Sequence, residues 1–105
     1  MEQPEIRVLL VDHQEMVRCG LQRLLKDMPG LHVVGEASTG EEAEQLSRSL
    51  QPDVVLMDVQ IPGIGGLEVV RRISRFEADI RVVGLASQAD DLFPIRLLEA
   101  GACGY

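Results

Sequence analysis

The chain has 105 residues, the size of one domain able to bury about two-thirds of the surface its unfolded form exposes. Its net charge is −7, with nine Arg and a single Lys, Lys26, which excludes the basic footprint of a nucleic-acid binder, so this chain alone should not bind DNA well. Aromatic residues make up only 3%, and the core must therefore be aliphatic.

The chain opens on Met1-Glu-Gln-Pro-Glu5, polar and acidic and unlike a signal peptide. No apolar run approaches membrane-spanning length, so the expectation is a soluble, cytoplasmic chain with no membrane association. Ile6 to Val11 is a β-branched apolar run that ends at Asp12 and His13, and it predicts a buried strand with polar residues at its carboxyl end. Val17, Leu21, Leu24 and Met28 then recur with the spacing of an amphipathic helix, which Pro29-Gly30 stops. Cys19 lies off that stripe and is expected to be partly exposed. With Cys103 it makes two free thiols without metal-ligand spacing, as in a reducing compartment.

Leu31 to Ala37 alternates weakly and predicts a second strand, with His32 as a surface residue near its start. Ser38-Thr39-Gly40-Glu41-Glu42 carries two overlapping capping boxes, Ser38 with Glu41 and Thr39 with Glu42. They open a helix that runs to about Leu50 with Ala43, Leu46 and Leu50 inward, and its first-turn acids read as structural. Val54 to Met57 is a continuous apolar run between breakers, which predicts a strand buried on both faces and ending at Asp58. Gly65-Gly66 leads into a helix with Leu67, Val70 and Ile73 inward and Glu68, Arg71, Arg72 and Arg75 in water. Ile80 to Ala86 predicts a fourth strand, with Ser87 after it. Asp90-Asp91 opens a last helix bearing Leu92, Ile95 and Leu98, with Pro94 in its first turn. Ala102 to Tyr105 reads as the opening of a fifth strand.

The order is β-α-β-α-β-α-β-α-β with short connections, which predicts an α/β, flavodoxin-like, doubly wound five-strand parallel sheet of order 2-1-3-4-5. Its last strand would be only begun. In such a sheet the first and third strands flank the switch point, so Asp12, His13 and Asp58 should meet at one rim. The first loop lacks the Gly-rich fingerprint of a dinucleotide site and the Gly-Lys-Ser/Thr ending of a P-loop. An acidic loop of this kind repels phosphate unless a cation intervenes, which points to a cation-dependent phosphoryl site with a carboxylate nucleophile.

The segments Val8-Leu9-Leu10-Val11-Asp12, Gly40-Glu41-Glu42-Ala43, Pro52-Asp53-Val54-Val55-Leu56-Met57-Asp58, Pro62-Gly63, Gly65-Gly66-Leu67-Glu68 and Leu98 to Tyr105 stand in the order and spacing of one family. The chain resembles the receiver domain of bacterial two-component response regulators, with the CheY-like fold. It is most similar to the NarL/FixJ subfamily, whose output domain is a LuxR-type helix-turn-helix. The resemblance implies one receiver domain over residues 1–105, C-terminally truncated, with its last helix absent and without its output domain. It implies a sensor histidine kinase as partner and Asp58 as phosphoacceptor. It also implies Mg²⁺ held by an acidic pair after strand one, by Asp58 and by the backbone carbonyl of Gln60.

Asp12 matches the first acid of the pair, but His13 stands in place of the second, and imidazole is a poor ligand for a hard cation. Glu15 could compensate from about one helical turn away. Counting back from Gly104-Tyr105, the family's hydroxyl position falls on Ala86, with Ser87 one residue late and so on the opposite strand face. Tyr105 matches the switch aromatic of strand five, and the family's lysine has no counterpart. The uncovered apolar surface of a shortened sheet predicts a homodimer or a swapped dimer.

Two readings stay open: a phosphorylatable receiver with weak metal affinity, and a phosphorylation-independent pseudo-receiver acting by dimerisation or protein binding. A stand-alone acyl-phosphate hydrolase lacks a general base in the right place. At most the chain would catalyse its own phosphorylation and dephosphorylation.

Overall fold

The structure is a computed structural model that describes residues 5–76, 79–85 and 93–104. Its elements are β1 (Ile6–Val11), α1 (Glu15–Lys26), β2 (Leu31–Ala37), α2 (Gly40–Leu50), β3 (Val54–Asp58), α3 (Gly66–Phe76), β4 (Arg81–Leu85) and α4 (Phe93–Ala100). The four strands are parallel in the order β2-β1-β3-β4, the first four places of the expected doubly wound sheet. An isolated parallel bridge from Val83 to Gly104 marks where a fifth strand would lie, on the free edge of β4. The Gly84 N–H donates to the Gly104 carbonyl at 3.1 Å, and the Cys103 N–H to the Val82 carbonyl at 2.8 Å.

Strand boundaries follow the apolar runs because a parallel strand is recognisable chiefly by them. β4 is described from Arg81 to Leu85, one residue inside the expected start at Ile80. Ala86, Ser87, Asp90, Asp91, Leu92 and Tyr105 lie outside the described residues.

The two faces of the sheet are unequally covered. On one face Leu9, Val11, Val55, Met57 and Val82 meet Ala43 of α2 and Val69, Val70 and Ile73 of α3, all nearly or wholly buried. Leu46, Leu50 and Leu67 pack against this core from their helices. On the other face Val8 and Leu10 are buried, while Val54, Leu56 and Val83 are only half-buried. The expectation that β3 is buried on both faces is therefore corrected. Its burial alternates, because α1 packs mainly on β2 and leaves the even-numbered side of β3 partly open.

The same imbalance corrects the reading of α1. The helix contains no buried residue, and of the expected inner stripe Val17, Leu24 and Met28 are exposed, Leu24 by 66%. Met28 lies past the end of the helix. The apolar periodicity is real, but α1 rests mainly on β2, and most of the stripe stays uncovered among the described residues. In α4, Leu98 is likewise 50% exposed rather than inward. Cys19 and Cys103 are both free and exposed.

Thr39 is the N-cap of α2, and its hydroxyl accepts the Glu42 N–H at 3.2 Å. Glu42 reaches back to the Ser38 N–H at 2.8 Å, so the Thr39 box is the one that forms, offset by one residue on the return bond. Glu41 instead leaves the helix and accepts the Ile64 N–H at 2.7 Å. That bond, with the Gly40 N–H donating to the Pro62 carbonyl at 2.9 Å, ties α2 to the loop that follows Asp58. Gly66 opens α3 so close to this loop that a Cβ would stand 2.7 Å from the Val59 carbonyl oxygen.

Candidate functional site

Asp12 and Asp58 come together for a reason of register. Val11 pairs with Met57 across β1 and β3, so the next residue on each strand falls at the same carboxyl rim. A parallel sheet leaves its ligand-facing residues there. Asp12 is buried, its side chain 10% exposed, and its Oδ1 accepts the Gln14 N–H at 2.8 Å. Asp58 is more accessible, and its Oδ1 accepts the Gln60 N–H at 2.9 Å, closing a turn at the end of β3. The Val59 N–H donates to the Leu85 carbonyl at 3.0 Å and fixes the start of the loop.

His13 lies between the two acids. Its Nδ1 is 3.4 Å from Asp58 Oδ2 and 3.8 Å from Asp12 Oδ1. Asp12, His13 and Asp58 thus each offer a ligand atom within 4.8 Å of one another, the geometry of a potential metal-ion group. Glu15, the first residue of α1, does not join this group. Gln60 is exposed beside Asp58. Ala86, Ser87 and Tyr105, the remaining switch positions, fall outside the described residues.

Two residues to which the sequence assigned no part in the site support it. Arg18 of α1 donates through Nη1 to the Asp12 carbonyl at 2.6 Å and through Nε to Glu36 at 3.1 Å, joining α1, β1 and β2 behind Asp12. Its side chain is largely buried, 15% exposed, so the contact is shielded from solvent screening. Glu41 is the second, through the clamp on Ile64. No local pattern points to the carbonyl partner of Arg18, and Glu41 was absorbed by a capping pattern that Glu42 in fact satisfies.

Away from the rim, Glu44 of α2 binds Arg72 of α3 at 2.9 Å and Arg48 at 3.3 Å. The Arg72 hydrogen bond holds the Glu44 carboxyl below the usual carboxylate range, against a smaller opposing effect of burial, and Glu44 in turn raises the Arg72 guanidinium. Arg48 also lies over the Phe76 ring at 4.0 Å, a cation–π contact that joins α2 to α3. This network holds two helices together and takes no part in the rim.

The response regulator receiver domain family matches residues 8–105. The chain belongs to that family. The receiver is 55% identical over 100 residues to the response regulator GacA of Pseudomonas viridiflava, covering 95% of this chain and 47% of that protein. It is 49% identical over 100 residues to the response regulator UvrY of Escherichia coli K12, covering 95% of this chain and 46% of that one. This receiver therefore spans about half the length of the curated relatives it matches. Among solved structures, a LuxR-family response regulator from Aurantimonas superposes with a TM-score of 0.92 at 39% identity, over 96% of this chain and 72% of that one. The receiver domain of NarL from Mycobacterium tuberculosis gives a TM-score of 0.92 at 30% identity, over 97% and 82%. The likeness to NarL/FixJ-type regulators and the doubly wound fold both stand.

The donor set can be weighed against the Mg²⁺ that receivers bind through acidic residues. Two carboxylates suit a hard cation that takes six oxygen ligands, and the imidazole of His13 does not. Among the described residues no helix is long and apolar enough to cross a membrane.

Proposed function

We propose that this chain is the receiver module of a two-component phosphorelay, residues 1–105 forming one receiver domain whose phosphoacceptor is Asp58. The observation that carries the reading is the convergence of Asp58 and the buried Asp12 at one rim, with three ligand atoms inside 4.8 Å. A sensor histidine kinase presents a phosphohistidine to the rim. An Asp58 carboxylate oxygen forms the new P–O bond as the P–N bond breaks, and the departing imidazole nitrogen takes its proton from water. A divalent cation, Mg²⁺ in the family, supplies the positive charge that offsets repulsion between the anionic donor and acceptor. Asp12, Asp58 and the Gln60 carbonyl would hold it, with His13 a poor fourth.

Asp12 is presented by the Arg18 contact on its carbonyl, and Asp58 by the Gln60 N–H that fixes one of its oxygens. Ala86 supplies no hydroxyl to the phosphoryl oxygens, which leaves Ser87 as the nearest one in sequence, and Tyr105 is the aromatic that would report the state. The module acts on transcription through a DNA-binding output domain, in the cytoplasm, and turns over no external substrate. Self-association through the open α1 stripe, with Val17, Leu24 and Met28 exposed, makes a homodimer the expected state. A monomer in light scattering at high concentration would overturn that part.

The test is intact mass after incubation with a small phosphodonor and Mg²⁺ or Mn²⁺, beside Asp58→Asn. A gain of one phosphoryl mass in the native chain alone supports the proposal, and equal masses under every cation reject it. One observation favours a second reading, a phosphorylation-independent pseudo-receiver: His13 Nδ1 already faces Asp58 Oδ2 at 3.4 Å, where the family has an acid. On that reading Asp58→Asn leaves self-association and partner binding unchanged.

A further inference from the structure

We infer that the rim cluster prefers a borderline transition-metal ion, of the Co²⁺–Zn²⁺ class, to Mg²⁺, with His13 Nδ1 as a ligand. The inference rests on reading this rim as a cation site, and it concerns which cation the residues of this chain select.

Three observations carry it. The first is donor chemistry: His13 places an imidazole nitrogen in a group otherwise made of carboxylates. Imidazole suits Zn²⁺, Co²⁺ and their neighbours, whereas Mg²⁺ takes oxygen ligands and keeps its waters. The second is spacing. Ligand bonds of ~2.0–2.1 Å set neighbouring donors ~2.9 Å apart around an octahedral ion and ~3.3 Å apart around a tetrahedral one. The Nδ1 to Asp58 Oδ2 separation of 3.4 Å lies at the tetrahedral value, and the 3.8 Å to Asp12 Oδ1 exceeds it by a few tenths. A small movement of the His13 ring, which is 46% exposed and free to shift, closes that gap.

The third observation is an electrostatic need. The Asp12 side chain is nine-tenths buried, and among the described residues only its Oδ1 receives a hydrogen bond, from Gln14. A second carboxylate, Asp58, stands within the same 4.8 Å group. Two carboxylates held this close repel each other unless a cation joins them. Nothing in this need distinguishes Mg²⁺ from Co²⁺. His13 does, since it binds only the second class well.

Every N/O site binds later first-row ions more tightly than Mg²⁺, so the decisive quantity is how the ratio changes with the residue at position 13. The full chain, stripped of metal, is titrated calorimetrically with Mg²⁺, Mn²⁺ and Co²⁺, with the visible absorption of Co²⁺ followed in parallel. A Cys19→Ser, Cys103→Ser, His32→Ala background removes the other soft ligands. The expected result is that His13→Ala weakens Co²⁺ by about tenfold or more and changes its spectrum. His13→Asp should weaken Co²⁺ while tightening Mg²⁺, so the Co²⁺/Mg²⁺ ratio falls from both sides. Asp58→Asn should weaken both ions. A ratio indifferent to position 13, or a chain that binds no ion and keeps only the His13–Asp58 ion pair, overturns the inference. Because binding is read without a phosphodonor, a chain that binds Co²⁺ through His13 yet takes no phosphoryl group fails the functional proposal alone.

Discussion

Glu41 offers a severe test of how the rim is held. Its Oε1 accepts the Ile64 N–H at 2.7 Å, and the Gly40 N–H donates to the Pro62 carbonyl beside it, so the first turn of α2 grips the loop that leaves Asp58. A hydrogen bond to a charged group contributes ~1.5–3 kcal/mol where solvent is excluded. Glu41 is exposed, which puts this bond at the lower end of that range or below it. As a first-turn acid it also complements the positive end of α2, for a further ~0.3–1 kcal/mol. Glu41→Ala should therefore cost about 2 kcal/mol. Glu41→Gln keeps an acceptor without the charge and should cost about half of that. Urea unfolding measures both, and with a slope of ~1–1.5 kcal/mol/M the midpoint should fall by more than 1 M for the alanine variant at unchanged slope. The loop consequence is separate: freed from its clamp, Gln60 should lose amide-exchange protection before the core strands do. A Glu41→Ala variant within ~0.3 kcal/mol of the native chain, with Gln60 exchange unaltered, would refute the clamp.

The remaining expectations sort core, surface and electrostatics. Ile73→Ala, at a wholly buried position between α3 and the sheet, should cost ~2–5 kcal/mol in urea unfolding. Leu24→Gln, on a residue 66% exposed, should change monomer stability by less than ~0.5 kcal/mol and lower self-association in light scattering. Gly66→Ala drives a Cβ to 2.7 Å from the Val59 carbonyl oxygen, and backbone does not yield cheaply, so ~1–3 kcal/mol is expected. Glu44 is held ionised by Arg72, so its contribution is present above the unfolded carboxyl range and lost as pH falls through the lower folded value. Unfolding of Glu44→Gln should thus differ from the native chain at pH 7 and converge with it in acid.

Strand order and the meeting of Asp12 with Asp58 were legible because both follow from parallel register. Two apolar runs that each end in Asp, placed as first and third strands, bring those residues side by side once Val11 pairs with Met57. Coverage was not legible. Val54-Val55-Leu56-Met57 is apolar at every position, and composition alone cannot tell whether a helix lies over the even side. α1 has the periodicity of a buried helix, with Val17, Leu21 and Leu24 spaced to face inward, yet it rests mainly on β2. Periodicity specifies which side of a helix is apolar, and a tertiary partner decides whether that side is dry. Arg18 stayed hidden for a related reason: its acceptor is a backbone carbonyl, which no residue pattern encodes.

The Arg18 contact also explains how the rim tolerates His13. A histidine beside Asp12 removes one negative charge from the loop, which would leave the carboxylates less able to draw a cation in. Arg18, however, places its charge on the Asp12 carbonyl and on Glu36, and among the described residues it pairs with neither rim carboxylate. It therefore holds Asp12 by its backbone carbonyl and leaves the carboxylate, whose Oδ1 accepts the Gln14 N–H and lies 3.8 Å from His13 Nδ1, at the rim. Asp12, His13 and Asp58 together offer mixed oxygen and nitrogen donors at the rim, the donor set that the proposed cation preference requires. Had Arg18 reached Asp58 instead, the same residues would form a closed salt-bridge network with no charge left for an ion. On the proposed reading, the partners Arg18 engages are thus what leave the rim carboxylates available to a cation rather than closed in a salt-bridge network.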